Sequence, residues 1–497
     1  MPWLTLLRSC RPRQAWWWSY AIGVVFFLGS MWWLVHVTVL GWLILCAYLA
    51  LYFAVFGRLA YHCMAQGGPG FLLIPAIWVA LEYARSHLLS GFGWNLLAYS
   101  QTSWYSLIQV ADMTGVWGVS FLIVWVNVAI TEWLQARGRS RSKRRRRTAP
   151  RIVVRPLAAA TSAVLLVLGY GLWRIQHVTL GAPVRLAVVQ GNIPQERKWH
   201  PDFAETILQR YESLTRNAAS AAPQLIIWPE TAVPGYLDAD EPLTQRVQTL
   251  VRTLHIPLLT GAPMVRGDSK AWLATNSATL LDETGTLKER YDKIHLVPFG
   301  EFIPFERLLP WFRAILPPIG DFVPGHERTV FRLGSRLQAP GSRPEQLPPA
   351  SSLQPPAISF SVLICFEDIF PDLARRFVRE GARLLVVITN DAWFGPTAAA
   401  YQHAQASTFR AVELRVPVVR AANTGWSGCI DATGRWIGSM HDAHGRELFV
   451  AGTHTCEVRL GTEQTLVLRW GDWFALLCVL GAMAWIAYNR LHYEKRQ

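Results

Sequence analysis

The stretch from Trp16 to Gly57 contains no Asp, Glu, Lys or Arg. A charge-free run of this length is too long to cross a bilayer once and fits two spans of about twenty residues each. We expect a break near 36–41, which gives spans at 16–36 and 40–57. Part of the chain must therefore fold in lipid as helices, because a spanning helix satisfies its own backbone hydrogen bonds.

Further apolar stretches extend this membrane part. One of them ends in Glu82 and Arg85, which lie one helical turn apart and can form an ion pair or simply neutralise a helix end. Many of the 24 Trp residues lie in apolar runs, as is typical of side chains at the membrane interface. The sequence predicts six spans in total, the remaining four at 71–85, 114–133, 156–173 and 473–488.

The basic residues predict the orientation in the membrane. Residues 137–155 hold ten Arg or Lys and no acid, so subtracting 10 from the net charge of +14 leaves +4 for the rest. We interpret this run as a cytoplasmic loop that can also contact anionic lipid headgroups. Nucleic-acid binding is disfavoured because no recognisable nucleic-acid-binding motif accompanies the run. The positive-inside rule then predicts a membrane domain at 1–178, an extracytoplasmic domain at 180–465, and a last span with a cytoplasmic tail at 470–497.

The large domain alternates short apolar strands with amphipathic helices. LIIWPE at 225–230 and ISFSVLICFE at 358–367 read as strands, and Phe203–Ala218 and Gln402–Leu414 as helices. This alternation predicts an α/β layered domain, whose active residues collect at the carboxyl ends of strands. The Pro-rich stretch at 338–356 is expected to be an irregular surface loop.

The seven cysteines form no CxxC pair and have no metal-like spacing. An odd number of cysteines without a recognisable pairing pattern argues against a domain that is held together by disulfides. The sequence also lacks a metal-ligand cluster and a phosphate-cradling loop, so we expect neither a metal nor an organic cofactor.

Three residues at strand ends or in charge-poor segments could carry covalent chemistry. Cys365 could be a nucleophile, Glu230 its general base and Lys293 a positive donor to an oxyanion. Taken singly, each has an ordinary alternative: a small core residue for Cys365, a strand-end salt bridge for Glu230, and a solvated side chain for Lys293.

Their joint occurrence changes this interpretation. WPE, then YDKIHLVPFGE, then CFED, in this order, resembles the nitrilase superfamily with its Glu-Lys-Cys triad. HLVPFGEFIP (295–304), NDAWFG (390–395) and GFGWNLLAYSQ (91–101), on a chain with membrane spans, resemble the apolipoprotein N-acyltransferase family over 70–497. The resemblance implies an α-helical transmembrane bundle plus an α/β nitrilase-like αββα sandwich domain.

The resemblance also implies a reaction at the outer face of a bacterial inner membrane. Cys365 would take an acyl group from a phospholipid, typically phosphatidylethanolamine, as a thioester. Glu230 would act as the base, and Lys293 with the backbone N–H of Phe366 would hold the oxyanion. The acceptor would be the α-amine of the diacylglyceryl-cysteine of an apolipoprotein.

Further residues match functional positions of the family. Glu301 would orient Lys293 or take part in proton transfer. Phe366 and Glu367 match the positions beside the nucleophile Cys365. Phe366 departs from the usual Tyr, which puts in doubt any role of that hydroxyl group.

Aromatic residues are expected to bind substrate. Trp199 matches a functional Trp of the family, with ordinary packing as the alternative, and Trp393 and Phe394 would line the apolar approach to the thiol. The family commonly has eight spans, two more than we count, and the missing pair would precede Trp16. A start assigned too late and a reduced membrane part both remain open.

Two other functions can be weighed against acyl transfer. A membrane-tethered amidase of the nitrilase type would share the triad but would need neither NDAWFG nor the outer membrane loop. A non-catalytic scaffold that binds lipoproteins would not need all three triad residues.

Overall fold

The structure is a computed structural model that describes residues 1–65, 70–141, 150–267, 272–303, 322–334 and 357–494. The chain divides into two compact units. A helical unit contains 1–178, 397–413 and 464–497, and a sheet unit contains 179–396 and 414–463. The Pro-rich stretch at 338–356 and residues 142–149 of the basic loop lie outside the described residues.

The helical unit is built from the apolar stretches of the sequence. Proline opens its first two helices, at positions where a missing backbone N–H is not needed for the helix. The helices described are α1 (Pro2–Ser9), α2 (Pro12–Ser30), α3 (Val39–Ala65), α4 (Gly70–His87), α5 (Tyr105–Ile108), α6 (Ala111–Thr114), α7 (Val116–Arg141) and α8 (Pro150–Gln176).

Helices from the second half of the chain belong to the same unit. Helix α13 (Ala399–Leu414) contains Gln402, whose Oε1 accepts hydrogen bonds at 3.0 Å from the indole N–H groups of Trp33 and Trp94. These contacts explain why residues 397–413, which the predicted domain at 180–465 includes, group with the helical unit. The other two are α14 (Leu466–Trp470) and α15 (Trp473–Glu494).

All six predicted spans correspond to helices. Within the described residues, four stretches are long and apolar enough to cross a membrane, namely Val39–Ala65, Val116–Arg137, Arg155–Gln176 and Trp473–His492. Helices α2 and α4 do not reach the same length and apolarity, so the number of six spans stays a prediction.

Glu82 and Arg85 in α4 bind backbone groups of the loop that follows. Glu82 Oε1 accepts a hydrogen bond from the Leu97 N–H at 2.7 Å, and Arg85 Nη2 donates to the Asn95 carbonyl at 3.3 Å. Both side chains are buried. The two side chains also attract each other electrostatically, so the predicted pairing is accompanied by anchoring of the loop that follows α4.

The sheet unit contains two six-stranded sheets within the described residues. Their strand orders are β12-β1-β2-β3-β4-β5 and β11-β10-β9-β8-β7-β6. The strands are β1 (Leu180–Gln190), β2 (Leu225–Ile227), β3 (Leu258–Arg266), β4 (Leu273–Leu281), β5 (Leu287–Asp292), β6 (Phe331–Leu333), β7 (Ile358–Ile364), β8 (Leu384–Thr389), β9 (Val418–Ala422), β10 (Gly428–Ile430), β11 (Trp436–Ser439) and β12 (Gly452–Gly461).

Helices cover these sheets. Helices α10 (Ala204–Ala219) and α11 (Glu241–Leu254) pack on the first sheet around a fully apolar core, and α12 (Pro371–Arg379) contacts β7 of the second. The sheets meet where β1 contacts β9 and β4 contacts β7. The predicted αββα sandwich is therefore confirmed.

One expectation about the cysteines is wrong. Cys429 in β10 and Cys456 in β12 are disulfide-bonded, so the bridge joins the two sheets. The partners are 27 residues apart in sequence. They come together only because β12 returns to pair with β1, which spacing along the chain does not reveal.

Candidate active site

Glu230 lies just beyond β2, where the chain leaves the sheet through Trp228 and Pro229. The buried Trp228 donates its indole N–H to Thr215 Oγ1 of α10 at 2.8 Å, which fixes the start of the turn. Gly261 in β3 lets the turn come close, because a Cβ atom there would lie 2.5 Å from the Pro229 carbonyl oxygen. The Glu230 side chain is thereby held at the end of the strand, 6% exposed.

Lys293 follows β5 and lies between two carboxylates. Its Nζ is 3.3 Å from Glu230 Oε1 and 2.9 Å from Glu301 Oε2, and the residue is 1% exposed. Asn276 Nδ2 donates to both acids, at 2.7 Å to Glu230 Oε1 and 2.8 Å to Glu301 Oε1. One ammonium and one amide therefore hold together two buried carboxylates that would otherwise repel each other.

These carboxylates keep the lysine charged. Burial acts to lower the pKa of Lys293, but Glu301 and Glu230 outweigh it and raise the pKa well above its usual value. Lys293 is thus a permanent positive charge in a site from which water is largely excluded, where such a charge acts most strongly.

Cys365 is the first residue after β7, and its backbone has a φ of +54°. This left-handed conformation is unusual for a residue with a side chain and costs about 1–3 kcal/mol, so the surrounding structure must impose it. A single 3₁₀ turn, Cys365–Ile369, starts there. The Thr389 hydroxyl group at the end of β8 hydrogen-bonds the thiol.

The thiol is not ionised by its surroundings alone. Burial raises the pKa of Cys365, Glu230 raises it further, Lys293 opposes them and Asp391 adds to the increase. A resting thiol of this kind needs a base to become a nucleophile. Glu230 is the carboxylate that faces both the thiol and Lys293.

Glu367 connects the nucleophile turn to the segment that carries the lysine. Its Oε1 accepts hydrogen bonds from the Tyr291 hydroxyl at 2.8 Å and from the backbone N–H groups of Ile294 and His295, and its Oε2 accepts from the Ile364 N–H. Burial raises the pKa of Glu367 to about 7, although these donors favour the charged form. Glu367 therefore links the two segments that carry Cys365 and Lys293.

The predicted aromatic residues have different surroundings. Trp199 and Trp393 are 50% and 47% exposed, and Phe394 is half-buried. Phe366 is buried and packs edge-to-face on Phe370, with ring centroids 5.1 Å apart. The exposed indoles are available to an apolar ligand, whereas Phe366 serves packing; the binding roles stay predictions.

Sequence reasoning missed several groups of the site. Lys198 donates its Nζ to the Glu230 carbonyl oxygen at 2.9 Å, Asn276 donates to Glu230 and Glu301, and Asp391 interacts with the Cys365 thiol. Asn276 lies in the middle of a buried strand, where a polar side chain is itself a signal of a partner. Lys198, inside the charged run QERKW, carries no such signal.

The arrangement can support covalent acyl chemistry. It brings together a thiol, a carboxylate and a fixed positive charge at one end of the sandwich. Within the ranges that the structure describes, no three His, Cys, Asp or Glu side chains cluster as a metal-ligand set.

Comparisons with known families agree with the two units. Residues 185–454 match the carbon-nitrogen hydrolase family, and residues 1–129 match the apolipoprotein N-acyltransferase N-terminal domain. A solved amidase from Nesterenkonia sp. AN1 is similar to the chain at 18% identity with a TM-score of 0.39, covering 58% of this chain and 97% of that protein.

Curated relatives cover nearly the whole chain. The apolipoprotein N-acyltransferase of Geobacter metallireducens is 38% identical over 98% of this chain and 91% of that protein. That of Methylococcus capsulatus is 34% identical over 87% of this chain and 78% of its own length. With its helical unit, its carbon-nitrogen hydrolase sandwich and these relatives, the chain belongs to the apolipoprotein N-acyltransferase family.

Proposed function

We propose that this protein N-acylates apolipoproteins, the reaction for which its relatives are named, and that Cys365 carries the acyl group. The observation that best supports this mechanism is the buried set of Glu230, Lys293 and Glu301 beside the thiol. We take the donor to be a membrane phospholipid, phosphatidylethanolamine being the expected one, and the acceptor to be the α-amine of a diacylglyceryl-cysteine.

In the first half-reaction Glu230 takes the proton of the Cys365 thiol. The thiolate attacks the carbonyl carbon of the donor ester, forming a C–S bond, and the negative oxygen is held by the Lys293 ammonium and the Phe366 backbone N–H. The ester C–O bond then breaks. Glu230 returns the proton to the leaving glyceryl oxygen, and the lysophospholipid departs.

In the second half-reaction the acceptor amine attacks the thioester. A C–N bond forms, the C–S bond breaks, and the proton lost by nitrogen passes through Glu230 back to the sulfur of Cys365. A thioester suits this exchange, because it stores the acyl group while one bulky lipid leaves and another enters.

We also propose that the sheet unit lies on the extracytoplasmic face of the bacterial inner membrane. Disulfides persist in oxidising compartments and are rare in the cytosol, and the bond between Cys429 and Cys456 fits that location. The distribution of basic residues supports the same orientation.

The amidase alternative is not favoured. It would not require an N-terminal domain of the acyltransferase type, which matches residues 1–129. A scaffold without catalysis would gain nothing from burying Lys293 between two carboxylates, since buried charges are costly unless paired.

Intact-protein mass spectrometry tests the proposal. The purified chain is incubated with phosphatidylethanolamine and no acceptor, with Cys365→Ala as the matched control. We expect a mass gain of one fatty acyl group that hydroxylamine removes and that Cys365→Ala lacks. Addition of a diacylglyceryl-cysteine peptide should discharge the adduct onto the peptide amine. Folded wild-type protein without any adduct would contradict the mechanism.

A further inference from the structure

Lys198 is a second buried lysine at the active site, and the proposed mechanism does not use it. It ends the short helix α9 (Gln195–Lys198) and is 4% exposed. Its Nζ donates to the main-chain carbonyl oxygen of Glu230 at 2.9 Å. Lysine is almost never buried unless it is paired, so its burial here requires an explanation.

The charged groups around Lys198 come from four strand ends and their flanking segments. Glu230 and Cys365 both interact electrostatically with its ammonium. From beyond β5, Lys293 contacts both Glu230 and Glu301, and Asp391 interacts with the thiol from beyond β8. Burial lowers the pKa of Lys198 to about 8, and Glu230 and Cys365 counteract this decrease. The side chain is therefore mostly charged at neutral pH.

The charge balance of the reaction gives this lysine a role. Before the proton leaves the thiol, the carboxylates of Glu230, Glu301 and Asp391 stand against the two ammonium groups of Lys293 and Lys198. After the proton moves to Glu230, the thiolate takes the place of that carboxylate and the net charge of the site is unchanged. Without Lys198, either state would hold one more uncompensated negative charge in a buried site, which is costly.

We propose that Lys198 is a positioning residue whose positive charge stabilises the Cys365 thiolate while its N–H group holds the Glu230 backbone. This inference rests on the proposed role of Cys365 as nucleophile. It assigns the active site a second cation, supplied by the segment that follows β1.

A mere anchoring role would make a different prediction. A neutral donor could bind the Glu230 carbonyl oxygen equally well, so Lys198→Gln would behave like the wild type. If the charge matters, Lys198→Gln must behave like Lys198→Met, and Lys198→Arg must resemble the wild type. The Gln variant keeps a donor and a similar length, which makes it the variant best able to fold.

The experiment measures the pH dependence of Cys365 alkylation by iodoacetamide in the full-length detergent-solubilised protein. Peptide mass spectrometry follows Cys365 separately from the other cysteines. Lys288→Met is the matched control, because Lys288 is 53% exposed and pairs with Asp282 on the surface. Thermal unfolding confirms that each variant is folded.

We expect Cys365 alkylation at pH 7, where Lys198 is mostly charged, to be about tenfold slower in Lys198→Gln and Lys198→Met than in the wild type. This difference should shrink as the pH rises through about 8, because Lys198 then loses its proton. Lys198→Arg and Lys288→Met should keep the wild-type rate at pH 7. An unchanged rate at pH 7 in Lys198→Gln overturns the proposal, whatever Lys198→Met does.

The readout needs no lipid, so the two proposals fail separately. If wild-type protein forms the thioester but Lys198→Gln does not slow alkylation at pH 7, only the role of Lys198 is lost. If alkylation is slowed but no thioester forms with phospholipid, the electrostatic effect stands and the proposed acyl transfer is contradicted.

Discussion

We expect Lys293 to determine the stability of the site as well as its proposed chemistry. It separates the carboxylates of Glu230 and Glu301 in a place that is almost closed to water. Removing one partner of a buried charged set leaves the other charges uncompensated and costs about 3–5 kcal/mol. We predict a loss of this size in the free energy of unfolding for Lys293→Met, measured by denaturant titration.

A double variant separates this effect from a packing defect. Lys293→Met combined with Glu301→Gln removes one charge of each sign, so it should recover part of the lost stability. Catalysis should stay absent in both variants. Equal stability of the single and double variants would show that the loss comes from packing alone.

Glu230→Gln should make the Cys365 thiol more reactive and at the same time abolish turnover. The Glu230 carboxylate raises the pKa of Cys365, so its removal should shift the alkylation midpoint to lower pH and speed alkylation at pH 7. Acyl transfer should nevertheless be lost, because the base is gone. Slower alkylation together with normal acyl transfer would contradict both roles given to Glu230.

At the residue scale, motif reasoning found the residues whose neighbours in sequence are distinctive. Cys365 and Glu230 stand at strand ends, and Lys293 and Glu301 share one motif, so these residues could be singled out from the sequence, while their chemistry stays a prediction. Lys198 donates to the main-chain carbonyl of Glu230, which is 32 residues away in sequence. A contact of that kind depends on the folded arrangement and leaves no local pattern.

The turn from β2 to Glu230 depends on the absence of a side chain at Gly261. A Cβ atom there would lie 2.5 Å from the Pro229 carbonyl oxygen and 2.7 Å from the Glu230 Cα atom. We predict that Gly261→Ala displaces the turn, costs about 1–3 kcal/mol in unfolding free energy and lowers kcat by at least tenfold. Steady-state kinetics and thermal unfolding measure these effects.

A second glycine provides the comparison. Gly381 has open space where a Cβ atom would stand, although its φ of +113° strains any other residue. Gly381→Ala should therefore cost stability without lowering kcat of the folded protein. Similar kinetic losses in both variants would argue against a specific effect on Glu230.

The disulfide should stabilise the sandwich without taking part in the proposed catalysis. Cys429 and Cys456 join the two sheets, and a native bridge of this kind is worth about 2–4 kcal/mol. We predict that Cys429→Ser with Cys456→Ser lowers the melting temperature while the folded fraction still forms the thioester. A reducing agent should lower the melting temperature of the wild-type protein to that of the double variant. It should leave the melting temperature of the double variant unchanged.

Most helices and strands could be predicted from the sequence, but the elements that they pack against could not. The expected helix Gln402–Leu414 exists as α13, yet its Gln402 side chain binds Trp33 and Trp94 of the helical unit. Amphipathic spacing identifies a buried face and says nothing about which element covers it. The left-handed backbone at Cys365 was equally hidden, because the residue type does not favour it.

At the scale of the whole molecule, the proposed orientation can be tested with single cysteines. Glu283 lies exposed in the turn between β4 and β5, and Arg137 lies exposed near the end of α7. An impermeant maleimide should label Glu283→Cys in intact spheroplasts and Arg137→Cys only after lysis. Labelling of Arg137→Cys in intact spheroplasts would reverse the orientation.

The pairing of β1 with β12 has a consequence for how the protein is made. The strands pair from Leu180 with Gly461 to Gln190 with Gly452. The first strand of the sandwich can therefore complete its pairing only after the last strand has been synthesised. In the proposed orientation, Cys365 and Cys429 enter the extracytoplasmic space before Cys456 does. For that interval the proposed nucleophile and an unpaired thiol would share an oxidising space, so we expect correct biogenesis to depend on keeping them apart until β12 arrives.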